Sequence, residues 1–243
     1  MVFIKALIFE QFPEILFGFS TKVGNDRKPP YNFNMSLSVN DETKVVTENR
    51  SSFFSAVGLN DKEIALQKQV HQGEISIVDA PGISGESDAM ITNKRGLGLA
   101  VSTADCTPIF IYDKENKVIA GVHSGWRSTE KKILRKTLNL LKKKYGSFSQ
   151  NLFVYIGPSI SQKNYEVGKE VAEKFDEKYL TPKNGKFLLD IPKANYDFLI
   201  DFNIPTENVQ LSSLCTYEND KLLHSYRREG KESGRALGVI AMR

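Results

Sequence analysis

Three runs of apolar, mostly β-branched residues in the middle of the chain predict buried strands, at 97–102, 108–112 and 118–122. The polar segment 113–117 (DKENK) has the length of a hairpin turn, so the second and third strands are expected to pair. We therefore expect a buried hairpin near the centre of the fold.

A helix is predicted directly after the third strand. Apolar residues recur at helical spacing from Ile133 to Tyr145, and Gly146 stands where such a helix would stop. Ser128 or Thr129 is the expected N-cap, because a hydroxyl there can accept a hydrogen bond from the first turn.

Shorter patterns fill the rest of the chain. Further strands are predicted at 3–9, 16–19, 64–69, 75–78, 152–156, 186–189, 209–211, 222–226 and 236–242. Further helices are predicted at 41–57, from about 159 to 179 and at 194–202, and polar loops at 22–36 and 81–87, the first as a mobile flap. No stretch has the composition of a linker. The sequence thus predicts a single domain over residues 1–243 with an α+β fold, a layered sandwich of mixed β-sheets flanked by helices.

The composition is that of an ordinary soluble globular protein, with 40% hydrophobic and 26% charged residues. The net charge of +4 comes from scattered lysines rather than from a basic stripe, and no apolar run has the length of a membrane span. The N-terminus lacks a signal-peptide cleavage site, and two distant cysteines do not form a disulfide framework. We therefore expect a cytoplasmic protein with reduced thiols that binds neither nucleic acid nor membranes. The sequence does not indicate an oligomeric state.

Two of the three histidines and one of the two cysteines stand beside predicted strands: His71, Cys106 and His123. Two imidazoles and one thiolate suit Zn²⁺, and three protein ligands leave a fourth position for the water that a catalytic zinc activates. Alternatively, an imidazole activates Cys106 as a nucleophile, or the three are ordinary core residues. The intervals of 35 and 17 residues match no short zinc motif, so the residues alone leave these interpretations open.

Other candidate side chains lie near this cluster in the sequence. Arg127 stands at the predicted start of a helix, where unpaired N–H groups favour anions; it is either a phosphate or carboxylate clamp or the partner of a nearby acid. Trp126 either stacks on a substrate ring or packs in the core. His224 is expected to lie outside the site. Arg227 and Arg228 are expected to be surface charges unless their strand end turns toward the site.

Several blocks of the sequence resemble the laccase-domain family, whose members are called polyphenol oxidases, purine nucleoside phosphorylases or peptidoglycan editing factors. The blocks are QVHQG, SDAMIT, STADCTPIFIYD, AGVHSGWRST, IGPSISQKNYEVG and LCTYENDKLLHSYRREGKESGRALGVI. They run in order from about His71 to the C-terminus, and the loop PYNFNMSLSVND resembles the family's N-terminal half. Ser128 departs from the glycine that the family usually has, and His224 occupies a place that is usually aromatic.

The resemblance implies that His71, Cys106 and His123 bind one zinc ion per chain. It implies a zinc-dependent purine nucleoside phosphorylase that cleaves adenosine, inosine, guanosine or methylthioadenosine with phosphate and that also deaminates adenosine. Arg127 is our candidate for binding the phosphate.

Three alternatives remain open at this stage. The same site could remove a wrongly incorporated L-serine from a UDP-linked muramic acid, as a peptidoglycan-precursor editing amidase. It could be a metal-free cysteine hydrolase. A non-enzymatic binding module with a structural zinc would need a fourth ligand, such as Asp88.

The word "laccase" is not supported by the residues. A multicopper oxidase holds several copper ions mostly with imidazole, and this chain has three histidines in total. Copper is therefore expected only as an adventitious replacement for zinc.

Overall fold

Backbone hydrogen bonds organise fifteen strands into three sheets in the computed structural model, which describes residues 1–243. The strands are β1 (Phe3–Ile4), β2 (Ile15–Ser20), β3 (Ile64–Lys68), β4 (Ile75–Ile77), β5 (Gly82–Glu86), β6 (Ala89–Thr92), β7 (Gly98–Thr103), β8 (Thr107–Asp113), β9 (Val118–Ser124), β10 (Leu152–Ile156), β11 (Glu166–Val167), β12 (Leu180–Lys183), β13 (Lys186–Leu189), β14 (Val209–Leu211) and β15 (Ala236–Met242). The helices are α1 (Leu7–Glu10), α2 (Thr43–Val57), α3 (Trp126–Glu130), α4 (Ile133–Tyr145), α5 (Lys169–Ala172), α6 (Ile191–Asp201) and α7 (Tyr226–Glu229).

Two six-stranded sheets form the centre of the molecule. The first has the strand order β1-β2-β15-β7-β3-β5, and the second has the order β14-β10-β8-β9-β6-β4. Both are mixed: β15 pairs antiparallel with β7, whereas β3 pairs parallel with it, and β10 pairs parallel with β14. The predicted hairpin is confirmed as β8 and β9, which pair antiparallel from Thr107↔Ser124 to Asp113↔Val118.

The two sheets stack through an apolar layer that both contribute to. Side chains alternate between the two faces of a strand. On β8, Phe110 and Tyr112 therefore point into this layer with Leu99 of β7 and Ile240 of β15. The intervening residues of β8 point the other way, against α4 and α6. On the outer face of the first sheet, α2 packs on β15. The predicted α+β class is thus confirmed, as mixed sheets stacked face to face and flanked by helices.

The helical segment after β9 differs from the prediction. Ser128 and Thr129 are not N-caps but lie buried inside the short helix α3, whose N-cap is Gly125. Lys132 then adopts a left-handed conformation with φ of 60°, which ends the first helical segment before α4 begins. The apolar stripe identified α4 correctly, but it gave no signal for the preceding turn of helix.

Four local predictions were wrong. Residues 7–10 form α1 rather than a strand, and 82–86 form an edge strand beside β3 despite their glycines. In the region 159–179 only Lys169–Ala172 is α-helical, with short 3-10 turns at Gln162–Asn164 and Glu177–Tyr179. The segment 222–226 pairs with no strand; its apolar side chains pack beneath β2 and β15 instead.

The polar loop 22–36 is not a loosely held flap at its end. Phe33, Asn34 and Met35 are completely buried, and the Asn34 side chain donates hydrogen bonds to the Ser36 carbonyl and to Asp41.

No helix of the structure combines the length and the apolar character needed to span a bilayer.

Candidate metal centre

The structure brings His71, Cys106 and His123 together at one end of the sandwich. Their possible ligand atoms all lie within 4.8 Å of one another. His71 lies in the connection from β3 to β4, Cys106 lies in the turn between β7 and β8, and His123 lies on β9. The cluster therefore joins a connection of the first sheet to the central hairpin of the second.

The hairpin register explains how Cys106 meets His123. Pro108 pairs with His123, and Cys106 precedes Pro108 by two residues, which places it on the same side of β8. Ile119, on the face of β9 that carries His123, belongs to the layer between the sheets. Both ligands are thus directed toward the opening between the two sheets, where His71 arrives from the other side.

Asp88 holds both histidines from behind. It is completely buried; its Oδ1 accepts the His71 backbone N–H at 2.9 Å and lies 3.0 Å from Nδ1 of His123. Its Oδ2 accepts the backbone N–H groups of Gln72 at 2.7 Å and Gly73 at 3.2 Å. Both carboxylate oxygens are therefore occupied, and Asp88 is placed to orient the ligands rather than to serve as a fourth one.

The same contacts set the charges of the cluster. Burial would raise the pKa of Asp88, but bonding to His123 and to backbone N–H groups outweighs burial and lowers it to about 2. Burial would lower the pKa of His123, but the charges of Cys106 and Asp88 outweigh burial and raise it to about 9. Burial lowers the pKa of His71, and the charge of His123 adds to that effect.

Gly125 leaves room for the cluster. A Cβ atom built on this residue would lie 2.9 Å from Sγ of Cys106 and 3.0 Å from Nδ1 of His71. Because Nδ1 of His123 faces Asp88, its Nε2 remains as the ring nitrogen available to an ion. Two imidazole nitrogens and one thiol sulphur are the donor set that zinc prefers, so the residues fit a zinc ion.

Arg127 lies at the rim of this cluster and is exposed. Its guanidinium stacks over the Trp126 ring at 4.1 Å and makes no ion pair, so the sequence alternative of an acid partner is not realised. Burial is the main cause of the lowered pKa of His71, and the charge of Arg127 adds to it. Trp126 itself is half-buried and packs against the apolar side chains of α5 and of the third sheet, β11-β13-β12.

Sequence reasoning missed a second group of residues beside Cys106. Asp105 is buried in the left-handed region with φ of 88°, and its carboxylate accepts the Arg227 backbone N–H and the Thr216 hydroxyl, each at 2.6 Å. Arg227 is thus held next to the cluster by the start of α7, and not on a strand. The positive φ of a non-glycine residue leaves no trace in the sequence, so only the neighbouring Cys106 could have drawn attention to Asp105.

His224 does not join the cluster, as predicted. It is buried near the Phe33 carbonyl, 3.4 Å from its Nε2, and its Nδ1 has no hydrogen-bond partner. Burial lowers the pKa of His224 to about 4, so it is neutral at physiological pH.

Known proteins are similar to this chain in sequence and in fold. The sequence is 33% identical over 226 residues to a purine nucleoside phosphorylase of Bacteroides thetaiotaomicron, covering 86% of this chain and 84% of that protein. It is 31% identical to the purine nucleoside phosphorylase YfiH of Escherichia coli, covering 91% of each chain. The crystal structure of YlmD from Geobacillus stearothermophilus superposes with a TM-score of 0.90 at 26% identity, covering 98% of this chain and 94% of that one.

A family description also matches most of the chain. Residues 16–243 match the family described as "Multi-copper polyphenol oxidoreductase laccase". The cluster contains only two of the three histidines, too few imidazoles for a multicopper centre, so the family's name does not describe the chemistry of this site. The match nevertheless spans the hairpin, all three clustered residues and β15. This chain therefore belongs to the multi-copper polyphenol oxidoreductase laccase family.

Proposed function

We propose that this protein is a zinc-dependent purine nucleoside phosphorylase that uses adenosine, inosine, guanosine and methylthioadenosine, and that it also deaminates adenosine. The names of its relatives support the first activity. The observation that carries the proposal is the convergence of His71, Cys106 and His123 within 4.8 Å, with Asp88 behind them.

Different residues would bind the metal, orient its ligands and bind the phosphate. His71, Cys106 and His123 would hold one zinc ion, which when bound supplies a Lewis acid and lowers the pKa of water. Asp88 holds the His123 ring with Nδ1 toward itself, so that Nε2 faces the site. The exposed guanidinium of Arg127, free of any acid, binds the phosphate that attacks the sugar carbon as the base departs.

The test is incubation of the metal-analysed protein with adenosine, with and without phosphate. We expect about one zinc per chain, phosphate-dependent release of adenine with ribose 1-phosphate, and phosphate-independent formation of inosine. Cys106→Ala should lose zinc and both activities, whereas Cys215→Ala, which removes the other thiol, should lose neither. Undiminished zinc in Cys106→Ala would contradict the assignment of the ligand, and no phosphate-dependent product would contradict the reaction.

A metal-free cysteine hydrolase is the second candidate, because Asp88, His123 and Cys106 also lie in the order of an acid, a base and a nucleophile. Alkylation of the thiols, followed by mass spectrometry, separates the two. A zinc-bound Cys106 should react slowly until a chelator is added, whereas a free nucleophile should react quickly with or without it. Cys215 is buried and serves as the internal reference.

A further inference from the structure

Two more arginines lie beside the cluster, on segments far from Arg127 in the sequence. Arg227 belongs to α7, and Arg235 directly precedes β15. No carboxylate oxygen lies within 4.0 Å of the guanidinium nitrogens of Arg127, Arg227 or Arg235. Three arginines on segments that lead to this end of the sandwich therefore carry charges without a carboxylate partner.

The backbone fixes Arg227 and Arg235 close to Cys106. The Arg227 N–H donates to Asp105, the residue before Cys106, at 2.6 Å. Ala236, the residue after Arg235, pairs with Thr103 of β7. The Thr103 hydroxyl in turn donates to the Cys106 carbonyl at 2.5 Å. Backbone hydrogen bonds and strand pairing thus connect both arginines to the turn that carries the Cys106 thiol.

Each guanidinium is held in place through only part of its donors. Nη1 of Arg227 donates to the Glu166 carbonyl at 2.9 Å, and the group stacks over the Tyr165 ring at 5.1 Å. Nη1 of Arg235 donates to the Ser233 carbonyl at 2.6 Å, and the group stacks over Tyr226 at 5.2 Å. The other guanidinium nitrogens of both residues have no partner in the protein. Both groups are therefore oriented and still have donors available to a ligand.

Arg235 gives the clearest indication of a ligand, because it is half-buried and yet has no counter-charge. Burial lowers its pKa, and the charges of Tyr226, Asp105 and Cys106 act against that effect. The carboxylate of Asp105 already accepts hydrogen bonds from Thr216 and from the Arg227 backbone. A partly desolvated cation without a paired anion is costly, and a bound oxyanion would remove that cost.

Arg127 and Arg227 stack on two aromatic rings that lie in the same part of the molecule. The guanidinium of Arg127 lies over the Trp126 ring at 4.1 Å, and that of Arg227 lies over the Tyr165 ring at 5.1 Å. Both rings pack against the same apolar residues of α5 and the third sheet. Two of the three guanidinium groups are therefore brought to one region by segments on opposite sides of Cys106 in the sequence.

We propose that Arg127, Arg227 and Arg235 together form a phosphoryl-binding subsite beside the His71–Cys106–His123 cluster. The planar fork of a guanidinium matches the oxygens of a phosphoryl group, and each of these three groups has nitrogens without a partner in the protein. The subsite rests on the proposed function for its role: the phosphoryl group is the inorganic phosphate of phosphorolysis, or else a phosphate of a nucleotide-linked substrate. The two sources share the same chemistry, and binding measurements separate them.

The test measures binding of inorganic phosphate and of UMP to the zinc-loaded full-length protein by titration calorimetry. Fluorescence of Trp126, the only tryptophan, provides a second readout beside Arg127. Arg235→Gln and Arg227→Gln should each weaken binding of the preferred anion by roughly 10- to 100-fold, because each removes a charge-assisted hydrogen bond. Arg135→Gln, on the exposed face of α4, should change nothing.

The outcomes are distinct. Weaker binding of inorganic phosphate in the variants supports the subsite with free phosphate as its ligand, and weaker binding of UMP alone supports it with a nucleotide. Unchanged binding of both anions in a variant with normal zinc content and melting temperature overturns it. If Arg235→Gln does not fold, the exposed Arg227→Gln and the conservative Arg235→Lys decide. Arginine-dependent anion binding without any phosphate-dependent product would overturn the proposed reaction but leave the subsite standing.

Discussion

Gly125→Ala adds a single methyl group at the point where the metal centre has least space. Gly125 has φ of −81° and ψ of 174°, an extended conformation that alanine adopts without strain. The backbone therefore tolerates the change, and its effect comes from contacts alone. The new Cβ would lie 2.9 Å from Sγ of Cys106 and 3.0 Å from Nδ1 of His71, against 3.4–4 Å for ordinary contact.

The size of the effect follows from these distances. Either Cys106 or His71 must move by about half an ångström, whereas a zinc ligand tolerates a displacement of about 0.2 Å. Overpacking of a tight site typically costs about 1–3 kcal/mol. If that cost falls on the metal-bound state, zinc affinity should decrease by about 5- to 150-fold.

The assay is competition for zinc against a chelating dye, together with thermal melting of the metal-free protein. Gly121→Ala is the matched control, because it lies four residues earlier, on β9, and its Cβ would meet Val101 in the core at 3.0 Å. The control should lower the melting temperature without changing zinc affinity. Wild-type zinc affinity in Gly125→Ala would refute the assignment of Gly125 as the residue that clears the metal site.

Three further predictions test other parts of the structure. Asp88→Asn should weaken zinc binding by roughly 10- to 100-fold, because the amide cannot accept every N–H that the carboxylate accepts, and dye competition measures this. His224 has a folded pKa of about 4 against an ordinary value of 6.5, so the stability that it contributes is complete above pH 6.5 and is lost as the pH falls to 4. Urea unfolding of His224→Phe should therefore show a smaller loss across that interval, by up to roughly 3 kcal/mol, and an unchanged slope would contradict the burial argument. Finally, we propose that residues 1–243 unfold as one domain, because both sheets share one apolar layer; calorimetry of the metal-free protein should show one transition, and two would indicate separate units.

The elements that the sequence predicted well are those defined by local contacts. The β8–β9 hairpin and α4 were found because their apolar patterns and turn residues lie within short segments. The strand predicted at 222–226 was wrong because its apolar residues are buried by β2 and β15, more than ten residues away, without any backbone pairing. Burial alone produced the same pattern that a strand would have produced.

The residues of the candidate site could likewise be predicted only in part. Residue chemistry identified His71, Cys106 and His123 as possible ligands, but their closeness depends on the stacking of two sheets. The roles of Asp88 and Asp105 depend on hydrogen bonds to distant backbone groups, and no periodicity records such bonds. Arg235 was overlooked because its position comes from the pairing of β15 with β7.

The position of β15 has a consequence for folding during synthesis on the ribosome. β15 lies between β2 and β7, and pairs Gly238 with Phe19 and Ala236 with Thr103. Until residues 236–242 have been synthesised, β2 and β7 each present an open edge, a template for pairing with another chain. A ribosome that stalls before Ala236 would thus release a chain prone to self-association. We therefore expect a chain truncated before Ala236 to aggregate more readily than the whole chain.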